Sequence, residues 1–301
     1  MTPGLALAID VGGTTLKGEL VDADGEVLVA GTAPTPRGSA AGDAVADLGL
    51  YLLDRADGRP VTGAGVIVPG AVDRASGVAT YSSNIGWRDL ELVQLLGAAW
   101  SLPVQIANDV ASGAVAEHRT GAGRTAPDMV FLPIGTGLAA ALLAGGRLVT
   151  GDGGTTSEIG HVFVRAGARC GCGADGCVEA WASAGAIARR YAELTGVPVA
   201  GARAVAERLD DDPAARQVWS DAIAALADGL TTLALLFGPA PVVIGGGLAQ
   251  SGERLLAPLR SALEDRARVF PAPRVLAARH GSRAGVVGAA MLARDGWKAE
   301  T

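Results

Sequence analysis

The chain has 301 residues, of which 49% are hydrophobic, so it is long enough to bury one large core or two medium ones. A net charge of −6 and a pI near 5.1 leave no basic surface for nucleic acid or an anionic membrane. Because no secretory signal stands at the N-terminus and charges, Gly and Pro interrupt each apolar stretch, we expect a cytoplasmic protein with no membrane or nucleic-acid partner.

The first predicted element is a buried strand over Leu5–Val11, which carries Asp10 near its end. The turn Gly12-Gly13-Thr14-Thr15 follows and leads into a β-hairpin. Such a turn presents backbone N–H groups and hydroxyls, which suits a phosphate. Glycine-rich hairpin turns are also common without any ligand, and this one is not a Walker A loop.

The next segment alternates helix and strand. We predict a helix over 39–54, a strand over 62–68, a polar loop over 81–87 and a helix from about Asp89 to Trp100. The loop carries Asn84, which taken alone is an ordinary turn residue.

A short strand over 104–107 ends in Asn108-Asp109, immediately before a predicted helix. Ligands of α/β sheets gather at the carboxyl ends of strands, and the same two residue types also cap helices. The pair is therefore either a helix cap or a catalytic pair. Both interpretations hold together if Asn108 caps the helix and Asp109 faces the ligand.

The strand, glycine-turn and strand pattern occurs again. A predicted strand over 128–133 leads into Gly135-Thr136-Gly137 and an apolar strand over 138–144, which suggests a duplicated nucleotide-binding scaffold. Further on we predict helices over 183–195 and 212–237, a strand over 241–244, the glycine turn Gly245-Gly246-Gly247, a helix over 250–266, a strand over 274–277 and a last helix over 286–294.

All three cysteines lie close together, shortly after a histidine. His161, Cys170, Cys172 and Cys177 offer three sulfurs and one nitrogen, the closed tetrahedral set of a structural zinc site. A disulfide would leave one cysteine over, and an iron–sulfur cluster normally takes four thiolates. The carboxylates of Glu158 and Glu179 flank these ligands, so a folded zinc site would hold both rigidly enough to grip hydroxyl groups.

The motifs AIDVGGTTLKGELVD, IANDV, GTG, EIGH, CGCGADGCVEAWAS and IGGGLAQSG occur in this order, and the chain resembles the ROK family of sugar kinases and repressors over nearly its whole length. The resemblance implies a two-domain actin-like (ribonuclease H-like) α/β fold with ATP and Mg²⁺ in an interdomain cleft. We expect a smaller domain over 1–120, joined by the C-terminal helix 285–297, and a larger one over 121–284. The implied activity is phosphorylation of the 6-hydroxyl of a hexose, with glucose as the leading candidate substrate. The implied assembly is a homodimer or homotetramer.

The resemblance also implies roles for particular residues. Asp109 matches the general base. The residues that match the sugar contacts are Gly70, Asn84, Asn108, Asp109, Glu158, His161 and Glu179. The residues that match the ATP and magnesium region are Asp10, Gly12, Gly13, Thr14, Thr136, Gly137, Gly245, Gly246 and Gly247.

Three departures from the family pattern bear on the sugar. Thr156-Ser157 replaces the usual Ala-Gly pair before Glu158, and the stretch from His161 to Cys170 is one residue shorter. The segment after the GTG turn lacks the glycine that normally follows two positions later. The substrate could therefore be glucose, N-acetylmannosamine, N-acetylglucosamine or another hexose, and the phosphoryl donor could be ATP or polyphosphate. A sugar-sensing repressor would need a DNA-binding domain, and an actin-like assembly ATPase would not need the cysteine cluster.

Overall fold

The computed structural model describes residues 4–151 and 157–297. Thr156, one half of the unusual pair before Glu158, lies outside the described residues. Contacts within the chain divide it into two compact units. Of the described residues, unit 1 comprises 4–116, 150–151 and 283–297, and unit 2 comprises 117–149 and 157–282.

Unit 1 is built on a five-stranded sheet. Its strands are β1 (Leu5–Val11), β2 (Thr15–Val21), β3 (Val27–Pro34), β4 (Val61–Val68), β5 (Ala71–Asp73), β6 (Val78–Tyr81), β7 (Arg88–Leu90) and β8 (Val104–Asn108). The main sheet has the order β3-β2-β1-β4-β8, in which β1 is antiparallel to β2 and parallel to β4, and β8 is parallel to β4. The remaining three strands, β5, β6 and β7, form a small antiparallel sheet.

Helices cover both faces of the main sheet. They are α1 (Ala40–Leu53), α2 (Leu92–Trp100), α3 (Asp109–Thr120), whose N-terminal part belongs to unit 1, and α9 (Ala284–Asp295). One face packs its apolar side chains against α1 and α2. The other contributes Ala8 and Ile67, which pack against Ala289 of α9. Gly65 on β4 permits this close approach, because a Cβ there would collide with the Ala289 carbonyl.

The helix predicted from Asp89 begins only at Leu92. Arg88 and Leu90 pair instead with β6, and Asp89 between them has φ of 48°, which interrupts any helix. The strands of this small sheet are three or four residues long, too short for a periodic pattern to be recognised.

Unit 2 repeats the topology of unit 1. Its strands are β9 (Met129–Pro133), β10 (Ala141–Ala144), β11 (Arg147–Leu148), β12 (Val242–Gly245) and β13 (Val275–Ala277). The order β11-β10-β9-β12-β13 has two antiparallel pairs followed by two parallel ones, as in unit 1. The predicted duplication of the scaffold is therefore confirmed. The strand predicted from Leu138 starts at Ala141, and only a single bridge joins Leu138 to Ile134 before it.

The helices of unit 2 pack around one long helix. They are α4 (Val178–Ala182), α5 (Ala184–Thr195), α6 (Ala202–Ala206), α7 (Pro213–Phe237) and α8 (Glu253–Arg266). Asp212 caps α7 by accepting hydrogen bonds from the next N–H groups, and Pro213 occupies the first turn, where no N–H is needed. The buried face of α7 carries Trp219, Ile223 and Leu226 into the core.

Helix α7 is also long and apolar enough to cross a membrane, judged by length and composition alone. Asp221, Asp228 and Gly229 interrupt α7 as expected, but they leave it apolar enough overall to meet this criterion, so the expectation that no segment is long enough to span a bilayer is wrong for α7. Its most apolar window is 44% buried. In the described residues it is the one helix that meets this criterion.

Candidate functional site

The predicted residues of unit 1 lie where its parallel strands end. Since β1, β4 and β8 run in the same direction, their carboxyl ends share one edge of the sheet. Asp10 lies near the end of β1, Gly70 follows β4, and Asn108 ends β8. The Asn108 Nδ2 donates a hydrogen bond of 2.9 Å to the Gly70 carbonyl, which ties two of these strand ends together.

Asn108 also caps α3. Its Oδ1 accepts hydrogen bonds from the N–H groups of Val110 at 2.9 Å and Ala111 at 3.0 Å. Asp109 shares only the first of these donors, at 2.9 Å. The helix start is thus capped without Asp109, and the carboxylate of Asp109 remains available for another task.

The electrostatic environment of Asp109 is unusual. Burial and then the neighbouring negative charge of Asp10 raise the pKa of Asp109 to about 6. Burial likewise raises the pKa of Asp10, while the positive charge of Lys17 opposes that rise. Lys17 stands opposite Asp10 in the β1–β2 pairing and was not predicted as a site residue. A carboxylate with a pKa near 6 is mostly ionised at neutral pH yet basic enough to accept a proton.

The GGTT turn is held by a residue that sequence reasoning missed. Thr35 donates its N–H to the Thr14 carbonyl at 3.0 Å and its Oγ1–H to the Gly12 carbonyl at 2.8 Å. Gly13 faces Asn84, since a Cβ on Gly13 would lie 3.7 Å from the Asn84 Cβ. The predicted phosphate turn and the predicted sugar loop are therefore neighbours within unit 1. No sequence pattern marks Thr35, because it reaches the turn only through the pairing of β2 with β3.

The two glycine turns of unit 2 are directly connected. Because β9 and β12 are parallel, the turns that follow them lie at the same edge of the sheet. The N–H of Ile134 bonds to the Gly245 carbonyl at 3.0 Å, and the N–H of Leu248 bonds to the Ile134 carbonyl at 3.1 Å. Gly246 has φ of 75°, and a 3₁₀ turn covers Gly247–Ser251, so the helix predicted from Gln250 begins only at Glu253. Thr136 and Gly137 follow Ile134 by two and three residues.

The three cysteines and His161 converge. One ligand atom from each of the four residues lies within 4.8 Å of all the others. The Sγ atoms of Cys172 and Cys177 are 3.8 Å apart, and Cys170 Sγ is 3.6 Å from His161 Nδ1. With Zn–S near 2.3 Å and Zn–N near 2.05 Å, tetrahedral angles place two sulfurs about 3.8 Å apart and sulfur and nitrogen about 3.6 Å apart. The donor set and its spacing therefore fit zinc.

Two other candidate sugar contacts, Glu158 and Glu179, flank this cluster in the sequence. Glu158 is exposed and precedes a 3₁₀ turn over Ile159–His161. Glu179 lies on α4, two residues after Cys177, and its Oε2 accepts a hydrogen bond of 2.8 Å from the Leu138 N–H. Because His161 Nδ1 faces the sulfurs, its Nε2 is left for another partner.

Ser157, the described half of the unusual pair before Glu158, stands where the family pattern has glycine. Its φ of 65° lies in the left-handed region that favours glycine, so the backbone keeps a glycine-like conformation despite the side chain. The Ser157 hydroxyl is buried and has no hydrogen-bond partner among the described residues. The serine therefore adds strain to the backbone beside Glu158.

Comparison with known proteins gives a consistent result. The model of the ROK family matches residues 6–296. The chain is 32% identical to a glucokinase of Streptomyces coelicolor over 97% of this chain and 98% of the relative. It is 34% identical to an N-acetylmannosamine kinase of Escherichia fergusonii, over 96% and 98% of the two chains.

Among solved structures, a ROK family glucokinase from Streptomyces griseus in complex with glucose and AMPPNP superposes with a TM-score of 0.81. It shares 31% sequence identity, and the match covers 97% of this chain and 99% of that one. The predicted actin-like ATPase fold is therefore confirmed.

Proposed function

Because this chain belongs to the ROK family and is a sugar kinase, we propose that it transfers the γ-phosphoryl group of ATP to the 6-hydroxyl of glucose. The observation that carries the proposal is the carboxylate of Asp109. Its pKa of about 6 suits a general base, and it lies at the strand edge that also bears the GGTT turn.

Asp109 would accept the proton of the attacking hydroxyl. Phosphoryl transfer mainly requires that the nucleophile be positioned and deprotonated and that the developing charge be stabilised. The base is held because α3 begins at Asp109 and is capped by Asn108. With Oδ1 capping α3 and one Nδ2 hydrogen bonded to Gly70, Asn108 keeps one hydrogen for a sugar oxygen.

The phosphate chain of ATP would be held by the glycine turns. Within the GGTT turn the Gly12 N–H bonds to the Thr15 carbonyl at 3.1 Å, so Gly13 and Thr14 would supply the N–H groups for phosphate in unit 1. The turns at Thr136-Gly137 and Gly245–Gly247 would supply theirs in unit 2. Mg²⁺, when bound with ATP, neutralises charge on the β- and γ-phosphate oxygens. Asp10 offers the oxygen donor that this hard cation prefers, and it stands two residues before Gly12, where the GGTT turn begins.

The sugar ring would be recognised near the zinc site. We assign structural zinc to His161, Cys170, Cys172 and Cys177, since four protein ligands leave no position for a catalytic water. Zinc on Nδ1 of the histidine would fix the ring and aim its Nε2–H at a sugar hydroxyl. Glu158 and Glu179 would accept hydrogen bonds from further hydroxyls.

The similarity to N-acetylmannosamine kinases supports a second candidate, phosphorylation of that amino sugar.

We also propose domains over 1–120 with 285–297 and over 121–284, and a homodimer or homotetramer in the cytoplasm. Light scattering of the purified protein measures its assembly directly.

The test of function is ADP release measured with a panel of sugars. Glucose, mannose, N-acetylmannosamine and N-acetylglucosamine are each supplied with ATP, and glucose is also supplied with polyphosphate while glucose 6-phosphate is measured. We expect the highest kcat/KM with glucose and ATP. A higher kcat/KM with N-acetylmannosamine would favour the second candidate, and no sugar-dependent ADP release with any hexose would refute both.

A further inference from the structure

The carboxylate of Glu179 makes a contact that its expected role as a sugar ligand does not require. Its Oε2 accepts the Leu138 N–H at 2.8 Å, which joins residues 41 positions apart in the chain. Leu138 comes directly after the GTG turn, one of the turns proposed to hold phosphate. The two oxygens of Glu179 therefore have different surroundings, because Oε1 lies 3.9 Å from Cys170 Sγ.

The packing at this contact is close. A Cβ added to Gly137 would lie 2.8 Å from the Glu179 Oε2, nearer than carbon and oxygen approach without a bond. Gly160 is packed against the Leu138 carbonyl in the same way. The glycine at 137 thus leaves the space that the carboxylate fills. A displacement of either group would move the other.

The helix that carries Glu179 is itself firmly fixed. Its Trp181 stacks with the guanidinium groups of Arg165 at 4.0 Å and Arg190 at 4.1 Å, and the Trp181 Nε1–H donates to the Arg165 carbonyl at 3.0 Å. Arg190 is in turn paired with Asp221 at 2.6 Å. The backbone that carries Glu179 is consequently fixed, and its side chain reaches from this helix to the Leu138 N–H.

We propose that Glu179 is a positioning residue that couples the sugar site to the nucleotide site, with Oε2 holding the GTG turn and Oε1 left for a sugar hydroxyl. This inference rests on the proposed function, in which both ligands bind. A hydroxyl bound to Oε1 would restrict the carboxylate and so order the turn. Thermodynamic linkage then requires the nucleotide to favour sugar binding by the same factor through this contact.

Two alanine substitutions in the same turn separate this coupling from general damage. Gly137→Ala displaces the Glu179 carboxylate without altering any residue expected to touch the sugar. Gly135→Ala is the matched control, because a Cβ there meets nothing within 4 Å. The Kd of glucose is measured by calorimetry without nucleotide. We expect Gly137→Ala to raise it by about fivefold or more and Gly135→Ala to leave it unchanged; equal values for both variants and wild type would overturn the coupling.

A second experiment measures the effect of Glu179 on nucleotide binding. We expect Glu179→Ala to raise the Kd of AMPPNP, measured without sugar, by about tenfold, since a charge-assisted hydrogen bond to the turn is lost. Glu179→Gln keeps an oxygen acceptor and should lose less. An unchanged Kd for the alanine variant would show that Glu179 does not hold the turn.

Hydrogen exchange of the Leu138 amide tests the contact with no ligand present. We expect the amide to exchange at least about tenfold faster in Glu179→Ala than in wild type, and identical rates would overturn the inference even if a variant bound ligands poorly for other reasons. If wild-type protein binds no hexose, the proposed function fails. The exchange rate and the AMPPNP measurement would still decide whether Glu179 holds the turn.

Discussion

Replacing Asp109 by Asn removes the proton acceptor and keeps the shape of the side chain. If Asp109 is the base, kcat should fall by at least ~10²-fold, the lower end of general acid–base contributions, while the Kd of the sugar changes much less. A helix cap would behave differently, because Asn caps as well as Asp. Since Asn108 already caps α3, loss of activity in this variant would not come from an uncapped helix.

The same substitution should stabilise the protein. The rise of the Asp109 pKa from 3.8 to about 6 corresponds to about 3 kcal/mol against the charged form, and solvent at this half-buried site reduces that to about 1–2 kcal/mol. A raised carboxyl pKa means that the folded state holds the proton more tightly than the unfolded state. The contribution of Asp109 to the stability of the wild type therefore declines as pH rises from about 4 to about 6 and is level above that.

Kinetics and thermal unfolding together provide the assay. Wild-type kcat/KM should fall about tenfold per pH unit below pH 6, and the variant should lack this dependence. At pH 7.5 the variant should melt a few degrees higher than wild type, with the difference absent near pH 4. Asp47→Asn, at an exposed position on α1, is the control and should change neither quantity. A kcat within a few-fold of wild type for Asp109→Asn would refute the catalytic role.

Three further outcomes can be measured. Elemental analysis should find one zinc per chain, and Cys172→Ala should lose the metal and lower both the melting temperature and glucose affinity; metal-free wild type with full stability would contradict the assignment. Thr35→Val removes the hydrogen bond from the hydroxyl to the GGTT turn, which is worth about 1 kcal/mol, and should raise the KM of ATP several-fold. Thr32→Val, on the exposed side of β3, should leave the KM of ATP unchanged. Ser157→Gly should stabilise the protein by about 1 kcal/mol more than Ser157→Ala does, because both variants remove the unpartnered buried hydroxyl and only glycine relieves the positive φ.

Sequence by itself determined the elements whose signals are local. The apolar run of β1, broken only by Asp10, predicts its bounds, Leu5–Val11, because a buried strand is rich in consecutive apolar residues. Asp212 and Pro213 mark the start of α7, since the Asp212 side chain caps the helix and proline is well tolerated in the first turn. The four zinc-ligand candidates were found because few residue types bind zinc and all of them fall in one short segment.

Tertiary structure alone decided the properties that depend on residues distant in sequence. The pKa of Asp109 depends on burial and on Asp10, which meets it only because β1, β4 and β8 share a sheet edge. Thr35 reaches the GGTT turn through strand pairing, and Glu179 reaches Leu138 through packing around the cysteine cluster. Local patterns report the conformation of a few neighbouring residues, whereas burial, charge and hydrogen bonding at a site are set by whichever segments the fold brings together.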